Sequence, residues 1–174
     1  MKQALRLAVA ALSLVGVACS QQSPAAEATA TFGGKKVTIN YSAPSVRGRQ
    51  IFGAGGRVSQ DGTYPVWRFG ANSATKFHTD ANLDIEGLKV PAGDYTLYAQ
   101  VDSEPWQLIV SKQTGQWGTI YKKENDLGRV KMTMAKPASL VETMKITLTA
   151  TGAAAGKLLV EWEKLGASVN FKVE

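Results

Sequence analysis

From residue 35 onward, apolar and polar positions alternate along the chain. Val37, Ile39 and Tyr41 fall on one side, with Lys36, Thr38 and Asn40 on the other. The same period of two recurs at Tyr95, Leu97, Ala99 and Val101, at Trp106, Leu108 and Val110, and at Val130, Met132 and Met134. Nearer the C-terminus it returns at Met144, Ile146 and Leu148, at Leu158, Val160 and Trp162, and at Val169, Phe171 and Val173. Successive side chains of a strand point to opposite faces, so this pattern predicts antiparallel sheets with one buried and one wet face. The gaps carry turn chemistry, in Pro91-Ala92-Gly93-Asp94, Asp102-Ser103-Glu104-Pro105, Thr151 to Gly156, and Lys164-Leu165-Gly166. No stretch sustains a 3.6-residue period with caps. The expected fold is all-β, an antiparallel β-sandwich, since nothing marks closure into a barrel.

The N-terminus follows a different rule. Residues 1–18 begin with Lys2 and Arg6 and continue as an apolar run from Leu7 to Ala18. That run is too short for an ordinary spanning helix of about 20 apolar residues and has the layout of a signal peptide. It stops at Val17-Ala18-Cys19, small residues before the one cysteine of the chain, which resembles a bacterial lipobox. Cys19 is therefore the expected lipidation site, with acyl chains that anchor a domain through about 0.8 kcal/mol per buried CH₂. Residues 20–30 are small and polar and read as a flexible tether. The organisation expected is a signal peptide at 1–18, a lipidated N-terminus and tether at 19–30, and a single β domain at 31–174. That places the protein in the bacterial cell envelope, lipid-anchored, at the outer membrane and facing the periplasm.

Composition then narrows the chemistry. One Cys and one His among 174 residues leave no intramolecular disulfide and no multi-thiolate or multi-histidine metal site. No metal or other cofactor is expected. The net charge of +6 falls to +4 when Lys2 and Arg6 leave with the signal peptide. The location disfavours nucleic acid as a partner despite that basic balance.

Residues 42–79 break the alternation. They hold Arg47, Arg49, Arg57 and Arg68, and Asp61 is their sole carboxylate. A long Gly-rich, Arg-rich and aromatic segment is a better seat for function than a sandwich core, because guanidinium forks match carboxylates, phosphates and sulfates. The plain alternative is that these arginines bond the loop's own carbonyls and pair with carboxylates of other strands. Gly53-Ala54-Gly55-Gly56 has neither the spacing of a dinucleotide fingerprint nor the Lys-Ser/Thr of a P-loop, and reads as a turn. His78 is an ordinary strand residue or, in a hydrolase acting on sugars or esters, a general base that needs a polar partner within reach. Asp80, Asp84 and Glu86 read as turn residues before they read as a calcium site. Trp162 belongs to the core pattern, while Trp117 follows a turn and is expected at a rim, where it would suit stacking.

The order of certain segments resembles a bacterial family of unknown function, the domain of unknown function numbered 2911. The stretches are Ile39 to Pro44, Arg47 to Gly53, Val66 to Thr75, Val90 to Leu97, Gln116-Trp117-Gly118, Arg129-Val130 and Leu159 to Trp162. The resemblance implies an exported, often lipid-anchored β domain and no established activity. Similar proteins join the Ile-Phe-Gly and Trp-Arg parts by a short Leu-Val-Pro-Tyr-Gly run, where this chain has residues 53–65. Arg57 lies in that departing stretch. The recognition residues expected are therefore Arg47, Arg49, Trp67, Arg68 and Asn72, in a non-catalytic domain that binds an anionic small molecule, a sugar or an envelope protein.

Overall fold

A computed structural model describes residues 23–102 and 104–174, so the expected signal peptide at 1–18 and the expected lipidation site Cys19 lie outside the described residues. The first sheet draws on β1 (Ala25–Phe32), β2 (Lys35–Ser42), β3 (Val66–Trp67), β4 (Thr75–Thr79), β7 (Gly93–Gln100), β8 (Gln107–Ser111) and β9 (Asp126–Lys131). Its order is β1-β2-β4-β7-β8-β9, with β3 paired to β7. The second sheet holds β5 (Leu83–Ile85), β6 (Leu88–Val90), β10 (Thr133–Ala135), β11 (Val141–Gly152), β12 (Ala155–Glu163) and β13 (Leu165–Val173). Its order is β11-β12-β13-β5-β6, with β10 paired to β13. All pairings are antiparallel.

The two sheets pack face to face as the alternation predicts. Val37, Ile39, Leu97, Leu108 and Val110 meet Met144, Ile146, Leu158, Val160 and Val169 in one core. Each such side chain contributes about 1.5–3 kcal/mol when fully buried, so the period-two pattern is the main source of the architecture.

Three departures matter. The expected tether reaches too far, because residues 25–32 form β1 with an eight-residue register against β2. Its inward positions are mostly alanines, which look like linker sequence, yet Ala28 and Phe32 are buried and Phe32 meets Phe171 edge-on at 5.4 Å. Next, the run Val130-Met132-Met134 is not one strand: the side-chain alternation continues, but hydrogen bonding passes from the first sheet in β9 to the second in β10 at Met132. Finally, the outer face of β7 and β8 is not wet. Tyr98 and Ile109 are buried there with Val66, under Tyr121. Tyr98 donates to the Ile120 carbonyl, and Arg129 and Asp126 hold the Tyr121 hydroxyl. Burial first, then the Asp126 carboxylate, pushes the Tyr121 phenol up to about 12.

The segment from Ala43 to Pro65 closes one end of the sandwich. It leaves β2 in the first sheet and crosses to β11 in the second, where Val46 N–H donates to the Glu142 carbonyl and Met144 N–H to Pro44. Ile51, Phe52 and Val58 then turn inward and are buried. Gly56 makes this reversal possible, since a Cβ there would lie 2.6 Å from the Ile51 carbonyl oxygen.

Candidate functional site

Under that crossing segment, four aromatic rings meet. Trp67 and Trp162 stack at 5.9 Å with an interplanar angle of 19°. Phe52 touches Trp67, Trp106 and Trp162 at 5.4, 4.7 and 5.8 Å. A cavity of about 310 Å³ opens beside this cluster, with Trp67 and Trp162 in its wall. Arg47, Arg49, Arg57 and Arg68 all line it, together with Asn72 and the single carboxylate Asp61. Every recognition residue expected from the sequence thus borders one open space. Arg57, set apart by its place in the departing stretch, borders it too. Asp61 is the partner of Arg57 and Arg68 from within the loop, and its i+4 spacing from Arg57 is the sequence signal for that pairing.

The roles within the cavity differ. Trp67 is only 1 % exposed, so it supplies floor and packing rather than a free face for stacking. Arg68 is held: its Nη2 lies 2.7 Å from Asp61 Oδ2, and the two side chains are 11 % and 10 % exposed. Arg57 reaches Asp61 Oδ1 at 3.1 Å from a side chain that is 44 % exposed. Arg49 donates through Nε to the Val46 carbonyl and through Nη2 to that of Ser45, at 3.0 and 2.7 Å. The plain alternative is therefore realised in part, since loop carbonyls and one carboxylate fix these arginines in place. That carboxylate comes from the loop itself, while the Glu142 carboxylate on β11 accepts the Arg47 backbone N–H at 2.8 Å. The cavity lining itself carries four guanidiniums and one carboxylate.

Left-handed backbone conformations gather in the same place. Arg47, Phe69 and Asn72 adopt φ of +51°, +55° and +58°, a region that costs non-glycine residues roughly 1 kcal/mol or more each. Trp162 Nε1 is buried with no hydrogen-bond partner, which leaves one donor in a wall residue uncommitted.

The Gln116-Trp117-Gly118 turn secures this wall from outside. Gly118 N–H donates to the Asn72 carbonyl at 3.0 Å, and Ser73 bridges to Trp117. A Cβ on Gly118 would lie 2.6 Å from both Arg68 Cδ and the Asn72 carbonyl oxygen. Gly118→Ala should therefore displace Arg68 and destabilise the fold by about 1–3 kcal/mol. Chemical denaturation checks this, and an unchanged midpoint would show that the wall yields freely. Trp117 is 52 % exposed at the rim and does not enter the cavity wall.

Other polar groups lie elsewhere. A second cavity of about 340 Å³ borders the same aromatic cluster at Phe52 and Trp106 and carries Asp102, Glu104 and Glu163. A third, of about 330 Å³, lies by Glu86 and Asn170. Asp84 bonds Gly87 N–H and Lys89, Glu86 bonds Asn170, and no metal-holding group of three acidic or Cys/His residues occurs among the described residues.

His78 lies in none of the three cavities. Strand register puts Asp94 directly across from it and Asp80 two positions on, on the same face. Its Nδ1 is 2.8 Å from Asp94 and its Nε2 is 3.0 Å from Asp80. The hydrogen bond to Asp80, then that to Asp94, raises the imidazole above its ordinary value of 6.5. The Lys36 N–H, then His78, lowers Asp80 below 3.8. His78 stabilises fully below its unfolded pKa and loses this contribution as pH rises through its raised folded value. Asp80 contributes above its unfolded pKa and loses that as pH falls through its lowered value. The cluster is thus strongest between the two ordinary values. An NMR titration should place His78 above 6.5, and Asp80→Asn should lower it; a native midpoint at or below 6.5 would contradict the paired geometry.

The model of a family described as "Protein of unknown function (DUF2911)" matches residues 23–171. No curated protein and no solved structure matches the chain.

Proposed function

The chain belongs to the DUF2911 family of proteins of unknown function, and from that premise we propose a non-catalytic binding domain of the bacterial cell envelope that holds an anionic group in its arginine-lined cavity. In this reading the protein is exported, lipidated at Cys19 and carried on the periplasmic side of the outer membrane. The observation that supports it best is the meeting of Arg47, Arg49, Arg57 and Arg68 at one open cavity with Asp61 as the lone carboxylate. Among the described residues, Arg49 and Arg57 use only part of their guanidinium forks, which leaves N–H donors for a planar or tetrahedral anion. His78 has the carboxylate partners that a hydrolase reading asks for, in Asp94 and Asp80, but it lines none of the three cavities, so that reading gains no pocket for a substrate.

Thermal-shift and calorimetric titrations with inorganic phosphate, sulfate, short carboxylates and neutral sugars test the reading. Anions should bind and raise the melting temperature while neutral sugars do not. Arg57→Ala should weaken anion binding about tenfold or more, the worth of one charge-assisted hydrogen bond, with little change in melting of the free protein. Stabilisation by sugars and not by anions would sink it.

A further inference from the structure

We infer that the arginine cavity faces the membrane that carries the protein's own anchor and takes the phosphate of an anionic lipid headgroup. This rests on the reading of the cavity as an anion site and of Cys19 as the lipidated residue. Its own support is the position of Ser23, which lines the cavity and stands four residues after Cys19. Four residues span at most about 14 Å even when fully extended. Just after Ser23 the chain is fixed, because the Pro24 carbonyl accepts the Ala43 N–H at 2.8 Å and β1 begins at Ala25. Ala43 in turn leads directly into the segment that carries Arg47 and Arg49. An acyl group on Cys19 therefore holds the mouth of the cavity within about one headgroup layer of the bilayer surface. A freely diffusing anion would not require that placement, whereas a lipid phosphate is supplied by it at high local concentration.

The guanidinium forks suit a phosphate, and Arg57 is exposed enough to reach one. Basic side chains held at an anionic bilayer surface favour binding about fivefold each, and the effect fades within a Debye length. The same arginines on a far pole of the sandwich would lose it.

The test uses the exported chain, residues 19–174, prepared with Cys19→Ser so that no acyl group masks the result, alongside the native protein. Mass spectrometry of the native protein should find acyl groups on Cys19. Their absence removes the distance argument and overturns the inference, while leaving the anion reading intact. The Cys19→Ser chain should sediment with vesicles of phosphatidylcholine mixed with phosphatidylglycerol and not with phosphatidylcholine alone. Arg47→Gln and Arg57→Gln should each weaken this about fivefold, with melting curves confirming that the variants fold. Lys122→Gln with Lys123→Gln, outside the cavity, should leave it unchanged. Vesicle binding insensitive to the arginines, or equally sensitive to these lysines, overturns the inference. Binding of inorganic phosphate without vesicle binding overturns the headgroup and keeps the anion site. Failure of both arms ends both readings.

Discussion

Trp67→Ala is expected to lower the stability of the sandwich by about 3–5 kcal/mol, the cost of removing a large aromatic side chain from a packed core. Trp67 is one of the largest fully buried side chains among the described residues. It touches Phe52, Phe69, Trp106 and Trp162 at ring-centroid distances of 5.4, 5.3, 6.1 and 5.9 Å. Four rings would lose a shared neighbour, and surrounding backbone cannot easily collapse into the gap, because Trp67 sits on a two-residue strand paired to β7. Trp67→Phe should cost less, since it keeps part of the packing. The measurement is urea denaturation at equilibrium. A loss below about 1 kcal/mol for the alanine variant would mean that the ring cluster does not hold the end of the sandwich. Reduced ligand affinity in this variant would report a lost floor and not a lost contact, which makes Arg57 the cleaner probe of binding.

Asp61→Asn should cost about 3 kcal/mol, although it changes neither size nor shape. Asp61 is the shared acceptor of Arg57 and Arg68, and the Arg68 side chain is 11 % exposed, so removal of the carboxylate strands a nearly buried guanidinium. For a domain of this length that loss corresponds to a melting temperature lower by roughly 6–12 °C. Two companion results separate charge from packing. Combining Asp61→Asn with Arg68→Met should be milder than Asp61→Asn alone, because no buried charge remains. Added phosphate should raise the melting temperature of Asp61→Asn more than that of the native protein, since the anion replaces a missing negative charge. A neutral Asp61→Asn would show that water already screens Arg68.

Where the sequence was legible, one periodicity sufficed. Val37, Ile39 and Tyr41, or Leu158, Val160 and Trp162, are buried at the alternate positions that the pattern marks. It fell short where a second layer covers a strand. Thr96 and Tyr98 look like outward positions of β7, yet residues 116–121 close over them, and no local pattern announces a distant cover. It fell short again where the inward residues are small, as along β1, because alanine signals neither core nor solvent by itself. The site was legible as a list of arginines but not as an arrangement. Charge and aromatic density singled out residues 42–79, and the structure brings Arg47, Arg49, Arg68 and Asn72 to one cavity. That Arg68 would be locked by Asp61 while Arg57 stayed more open depends on the path of the chain around Gly56 and Gly118, which spacing alone does not give.

The pairing of β13 governs the order in which this protein can be completed. β13 is the strand to which β12, β5 and β10 all bond, so the β5–β6 hairpin and β10 join their sheet only through it. A chain growing from its N-terminus can assemble much of the first sheet early, whereas the second sheet has β5–β6, β10 and the β11–β12 hairpin unjoined until residues 165–173 have been made. A nascent or prematurely ended chain is thus held short of a closed core. A stop at position 165 would delete the hub of a whole sheet rather than trim its edge.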